Sequence, residues 1–403
     1  MVTLIPSDGP GKASPAPSES HIDFLDQVRG AAIFIVFASH CVSTAYLPTY
    51  GVADLKWNGW FRDFHAPASF LVFVPLTLGW AGVAIFFVVS GFCIHLSHER
   101  SQKKSWKIFF IRRFFRIYPP YLLALLFFAL AFPWTRLLFT SKLLHVHQEW
   151  FYSMVQLGAH LLLVHNFNLI LQEGINPAFW SIAVEVQLYL LYPLLYFIFR
   201  IKSPWRALWI AGAIEIGLRA VEALLIILHP NMEIPSWFSY EPFIFWFSWT
   251  IGAVLADAYL SGKSLPFRQH PSVWLLLMIA CYNFKPLFAF CFTLIALATA
   301  CLISRLLTQR RPPSPSRFGL ISRHLQFAGV VSYSAYLIHM PLLYAVPDAL
   351  RHLFPQHHFN GPTLMAFCLA TWIPILVASY TMYRLVELPG IAWGKRVIRR
   401  GIW

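Results

Sequence analysis

The stretch FLDQVRGAAIFIVFASH, residues 24–40, carries Asp26 and Arg29 in its first six positions, is apolar from Gly30 to Ala38, and ends on Ser39 and His40. An apolar run of this kind reads as a helix that enters a membrane, with its charges left at one end. His40 lies eleven positions after Arg29. At ~100° per residue that is three turns plus ~20°, so the two side chains share a face and stand roughly 16 Å apart along the axis. A cation near the membrane surface and an imidazole well inside it, on one stripe, predict the lining of a path.

The rest of the chain agrees with a membrane reading. Of 403 residues, 58% are hydrophobic, 17% aromatic and only 12% charged, which is more apolar surface than a water-soluble domain can hide. The six cysteines all fall in apolar segments without CxxC spacing, so neither a disulfide framework nor a zinc site is expected. Residues 1–21, rich in Pro, Ser and Gly, predict a disordered tail. Residues 22–390 form the membrane domain, and 391–403 a basic tail.

The fold class expected is all-α, a polytopic transmembrane helix bundle of about ten spans. They are placed near 24–47, 68–97, 117–133, 180–199, 206–228, 241–260, 271–284, 286–307, 326–346 and 363–386. The marginal run 154–171 is expected to be re-entrant or interfacial. On this map the segments on the side of the two termini hold 24 of the 31 Lys and Arg. The positive-inside tendency makes that side cytoplasmic, and the membrane the plasma (inner) membrane. The net charge of +14 is thereby explained by topology, and nucleic acid is not an expected partner. RRPPSPSRFG, 310–319, predicts a flexible cytoplasmic linker.

Polar groups inside a membrane are costly and invite a functional reading, against the blander one that they hold helices together. Arg29 alone reads equally as a snorkelling anchor; His40 is harder to dismiss, since a neutral imidazole accepts protons near neutral pH. In RRFFRIYPPY, residues 112–121, Arg113 and Arg116 share a helix face and suit phosphate, or else anionic lipid headgroups. In FWSIAVEVQLYLLYPLL, residues 179–195, Ser181, Glu185 and Tyr189 follow at i, i+4, i+8 and form one stripe. VSYSAYLIHMPLL, residues 331–343, carries His339, and YRLVELPG, residues 383–390, carries Glu387. Glu215, Arg219 and Glu222 read as internal pairing. The histidines at 145, 147, 357 and 358 lie in loops expected to be external, and no metal site is expected there.

Taken in order, LDQVRG with His40, FFVVSGFCI, RRFFRIYPPY, WSIAVEVQLYLLYPLL, VSYSAYLIHMPLL and YRLVELP resemble the acyltransferase-3 family over roughly residues 22–389. The resemblance implies an integral membrane enzyme that O-acylates extracytoplasmic carbohydrate or glycolipid acceptors. It implies acetyl-CoA or another acyl-CoA as co-substrate, with membrane lipids as surroundings. Arg29 and His40 fall on the family's arginine–histidine pair, Arg113 and Arg116 on its Arg-x-x-Arg motif, and Trp180, Ser181 and Glu185 on its Trp-Ser-x-x-x-Glu motif. Gln27 and Val186 depart from the pattern; the second argues against a two-carboxylate mechanism at that motif.

The expectation is therefore that His40, Glu185 and Arg29 carry the chemistry. Arg113, Arg116 and Arg29 hold the donor at the cytoplasmic mouth, and Trp180, Ser181, Tyr189 and His339 meet the acceptor. His40 serves either as general base or as an acyl carrier. The rival from another class is a transporter or flippase of a glycolipid, which would also use buried charges. A membrane glycosyltransferase would need acidic metal-binding pairs that the sequence does not offer.

Overall fold

The computed structural model describes residues 22–50, 57–58, 61–62, 74–131, 149–308 and 319–401. The expected tail 1–21, His145 and His147, all of the 310–319 linker but its last residue, and the final two residues lie outside them. The described chain is helical apart from a two-residue antiparallel pair, Trp57–Asn58 with Phe61–Arg62. Among the described residues seven segments are long and apolar enough to cross a membrane: Phe24–Tyr46, Gly79–Glu99, Trp106–Leu130, Pro177–Ile201, Ser236–Leu260, Lys285–Thr308 and Gly361–Arg400.

The expected count of about ten is not confirmed: the described residues hold seven candidate spans by length and composition, or eight if a bent pair counts as one. The three departures have separate causes. Pro204–Leu228 is long enough but carries Arg206, Glu215, Arg219 and Glu222. Pro271–Tyr282 has only 12 residues, about 18 Å of helix against a core of about 30 Å. Gly319–Val330 and Ser332–Leu353 meet at an angle of 85°, so the run placed at 326–346 is two helices with different directions. The 154–171 run is broken: the helix Glu149–Leu161 has 13 residues, and Leu163 takes a positive φ of 55° before a short turn of helix at Leu169–Gln172.

We number the helices that build the site α1 (Asp23–Tyr50), α2 (Gly79–Glu99), α3 (Trp106–Leu126), α4 (Trp180–Ile201), α5 (Pro204–Leu228), α6 (Trp246–Leu260), α7 (Gly319–Val330), α8 (Ser332–Leu353) and α9 (Leu388–Arg400). Helix α1 packs against α2, α7 and α8. Helices pack in a membrane through close backbone approach at small residues rather than through the hydrophobic effect, and two crossings show it. A Cβ on Gly30 would lie 1.9 Å from the carbonyl oxygen of Leu325, and one on Gly329 1.8 Å from that of Asp26, so α1 and α7 touch backbone to backbone. At the second crossing, α2 on α6, a Cβ on Gly91 or on Gly252 would lie 2.0 Å from the carbonyl oxygen of Trp249 or Val88.

Helix α3 begins well before the proline pair expected to open its span. Ser105 caps it, its hydroxyl accepting from Ile108 N at 3.5 Å, and Pro119 and Pro120 sit in its interior. A proline in a helix deprives the carbonyl four residues earlier of its partner. For Pro119 that carbonyl belongs to Phe115, and Gly390 of α9 packs against it.

Two of the charges of α5, Glu215 and Arg219, are held inside the protein. Arg219 pairs with Glu215 at 3.2 Å and donates to the carbonyls of Ala289 and Ile244, each at 2.7 Å. Ser248 and Thr293 donate to the same carboxylate. Glu215 and Arg219 are each met by partners, as buried ions require, and the pair holds helices together.

Candidate active site

Helices α1, α2, α3, α4 and α8 enclose a cavity of about 800 Å³, its open mouth included. Arg29, Arg113 and Arg116 contribute to its wall together with Ser181, Glu185 and Tyr189. The arginines were expected at the cytoplasmic mouth. They face one space because α3 starts at Trp106, which carries its arginines alongside α4.

The Ser181–Glu185–Tyr189 stripe of α4 points into this space as its spacing predicts. Ser90 Oγ donates to Glu185 Oε1 at 2.8 Å, and Tyr189 Oη donates to the same oxygen. Trp249 Nε1 in turn donates to Ser90 Oγ at 3.3 Å. Both bonds to the carboxylate fall on Oε1, so Oε2 keeps its lone pairs for whatever enters the cavity. Ser181 Oγ donates to Tyr336 Oη at 2.7 Å. Trp180 turns away from this wall, its ring 4.8 Å from Tyr240 and 5.9 Å from Phe245.

Each arginine meets a different surrounding. Arg29 pairs with Asp26 at 3.6 Å. Arg113 donates to Ser97 Oγ at 3.5 Å and lies over the Phe109 ring, while its Nε is buried without a partner. Arg116 lies within electrostatic reach of Glu387 and Glu185. Glu387, 3% exposed, accepts from Ser334 Oγ at 3.2 Å and lies behind the wall.

His40 and His339 are brought together, ring centroids 5.2 Å apart, but neither lines the cavity. His339 is fully buried, and its Nδ1 faces the carbonyls of Ala335 at 3.2 Å and Tyr336 at 2.9 Å. Carbonyls only accept, so Nδ1 carries the proton. Nε2, buried and without a partner, is left with its lone pair. His40 keeps part of its surface exposed. The link to the cavity runs along α8: Tyr333 and Tyr336 are on the wall, and the Tyr336 ring is 5.4 Å from that of His339. Each lies three positions after the last, one ridge of a helix.

Ser90, Tyr333 and Tyr336 are site residues that the sequence reading did not single out. A lone serine in an apolar helix usually bonds its own backbone. The available signal was Gly91 beside Ser90: it lets α6 close on α2, which brings Trp249 behind the serine. Among the described residues no three or more His, Cys, Asp or Glu side chains are grouped to hold a metal ion.

A helical bundle with several candidate membrane spans, built around a cavity where arginines and a carboxylate converge, defines a membrane protein with an internal polar site. The family model of the acyltransferase domain, Acyl_transf_3, matches residues 22–383. The chain belongs to this family, and it is an acyl-transferring enzyme. It is similar to acyltransferase MdmB of Streptomyces mycarofaciens, with 27% identity over 341 residues that cover 78% of this chain and 81% of the relative. No solved structure matches.

Proposed function

We propose that the enzyme moves an acyl group, most simply acetyl, from cytosolic acyl-CoA to a hydroxyl of an extracytoplasmic carbohydrate or glycolipid. The observation that carries this reading is the cavity itself. It gathers Arg29, Arg113 and Arg116, a countercharge for an anionic donor, and its wall residue Tyr336 packs against His339, whose ring neighbours that of His40. On this reading the enzyme lies in the plasma membrane with both termini in the cytoplasm, so that the basic ends of α3 and α9 meet the donor's compartment. A glycolipid transporter, the rival reading, has no need of the transfer chemistry that defines the family.

In the simplest course His40 takes the proton of the acceptor hydroxyl as its oxygen attacks the thioester carbonyl carbon. The C–S bond then breaks, and the CoA sulfur leaves as thiolate and is protonated. His339, its proton fixed on Nδ1, offers Nε2 beside His40 and holds that ring's surroundings polar. In the alternative course His40 attacks the thioester, CoA leaves, and the acceptor hydroxyl takes the acyl group from the imidazole. Glu185, oriented by Ser90 and Tyr189, binds an acceptor hydroxyl or the donor's amide N–H through Oε2.

Release of CoA thiol from acetyl-CoA by the purified protein tests the donor. Mass spectrometry of surface polysaccharides and lipids from cells with and without the gene identifies the acceptor. Absence of thiol release with every short acyl-CoA, or identical glycans in the two cell lines, would contradict the reading. Rapid quenching followed by mass spectrometry separates the two courses: an acylated His40 is expected only in the second.

A further inference from the structure

The wall of the main cavity changes character along its length, and α2 gives the scale. Val83, Phe86, Phe87, Ser90, Cys93 and Ile94 of that helix all line the space, on one face at i, i+3 and i+4 spacing. The charged groups keep to one end. Glu185 is level with Ser90, which donates to it at 2.8 Å, and Arg113 is level with Ser97, to which it donates at 3.5 Å; Arg116 follows Arg113 by about a turn. Arg29 leans the same way. Helix α1 runs antiparallel to α2, with Ser39 against Gly79 and Ala32 and Val36 against Gly82, and Arg29 turns back toward Asp26.

The other end of the wall carries no charged side chain. There Val83, Phe86 and Phe87 meet Ile182 of α4 and Tyr336 of α8. Phe87 is fixed by Phe245 and Phe292, whose ring centroids lie 5.4 and 5.8 Å from its own. Phe86, half-buried, stands edge-to-face with Tyr336 at 6.1 Å, so two rings from two helices bound that end. Ser181 donates to the Tyr336 hydroxyl at 2.7 Å and holds the ring in place. From Ser90 to Phe86 is about one turn of helix, roughly 6 Å. That is room for a thioester carbonyl with one or two further carbons, and too little for a longer chain.

We infer that this apolar end is the acyl subsite of the donor, and that Phe86 with Tyr336 selects a short, uncharged acyl group of two or three carbons. The inference rests on the acyl-CoA donor proposed above and deepens it. A longer chain meets the two rings, and forcing atoms into a packed site is unfavourable. A dicarboxylic group such as succinyl brings its carboxylate to the end that holds no cation, and burying an unpaired charge is costly.

The test is a competition. Full-length protein in nanodiscs of phosphatidylcholine binds radiolabelled CoA, and acetyl-, butyryl-, hexanoyl- and succinyl-CoA displace it. Ratios of Ki are read, so that general damage, which weakens every donor alike, cancels. In the wild type acetyl-CoA should displace at least about tenfold better than butyryl-CoA, the scale on which a shaped apolar pocket distinguishes methylenes, and better than succinyl-CoA. Phe86→Ala should move the butyryl-to-acetyl ratio toward butyryl by about tenfold and leave succinyl-CoA a poor competitor. Phe86→Leu, closer in volume, should move it the same way by less, and carries the test should Phe86→Ala fail to fold. A ratio unchanged in variants that bind CoA, a wild type that takes hexanoyl-CoA as well as acetyl-CoA, or one that takes succinyl-CoA best overturns the acyl subsite and leaves the donor reading standing. Failure of the wild type to bind CoA or any acyl-CoA overturns both.

Discussion

Ser90 joins two helices to one carboxylate, giving a hydrogen bond to Glu185 and receiving one from Trp249. Ser90→Ala leaves the Glu185 carboxylate held by Tyr189 alone, and a lost bond to a charged group is worth about 1.5–3 kcal/mol. We expect about a tenfold or greater fall in kcat/KM, measured with acetyl-CoA, in a protein that still folds. His40→Ala is expected to abolish transfer, since loss of a general base costs about 10²–10⁴-fold; wild-type turnover in a well-folded variant would remove His40 from the mechanism. Arg113→Gln and Arg116→Gln should raise the donor KM, and a rise confined to the acceptor KM would show that the arginines face the other substrate. At this scale charge and spacing marked both residues of the cavity wall and residues off it, such as His40, His339 and Glu387. Arg29, Arg113, Arg116 and the Ser181–Glu185–Tyr189 stripe all line the cavity. Tyr333, Tyr336 and Ser90 carry no charge, and nothing in a single apolar helix tells a tyrosine facing a cavity from one facing lipid. The neighbourhood of His40 and His339 is a long-range contact between α1 and α8 that no local pattern encodes.

Helix crossings set where these side chains point. At α2 and α6 there is no room for a Cβ on Gly91 or Gly252. Gly91→Ala or Gly252→Ala must push the two backbones apart, which draws Ser90 from Glu185 and Trp249 from Ser90. Forced overpacking costs about 1–3 kcal/mol, so a lowered Tm in detergent and reduced turnover are expected together. Gly217→Ala, with nothing within 4 Å of the new Cβ, should change Tm little, and equal effects at all three positions would contradict the crossing argument. Helix existence was legible from apolar runs, while helix shape was not. The proline pair in α3 looked like a start because proline breaks most helices; here Gly390 of a distant helix fits against the freed carbonyl. The 85° bend after Val330 is set by the packing of α7 along α1, which a hydropathy pattern does not record.

For the whole molecule, the proposed mechanism depends on which face meets the cytosol. The segment 97–118 holds seven Lys and Arg and the segment 229–240 none, so the first should be cytoplasmic and the second external. Single cysteines at Ser101 and Ser236, in a background without the native six, report this with a membrane-impermeant maleimide. Ser236→Cys should label on intact cells and Ser101→Cys only after permeabilisation. The reverse pattern would place Arg113 and Arg116 on the external side, away from any cytosolic donor. The most direct measurement of the central claim follows the acyl group itself. Inverted membrane vesicles carrying the wild type or His40→Ala receive radiolabelled acetyl-CoA on their outer, cytoplasmic face. The account requires base-labile label on a lumenal acceptor, shielded from added esterase until detergent opens the vesicles, in the wild type and not in the variant. Label absent from both, equal in both, or open to esterase in sealed vesicles would contradict it.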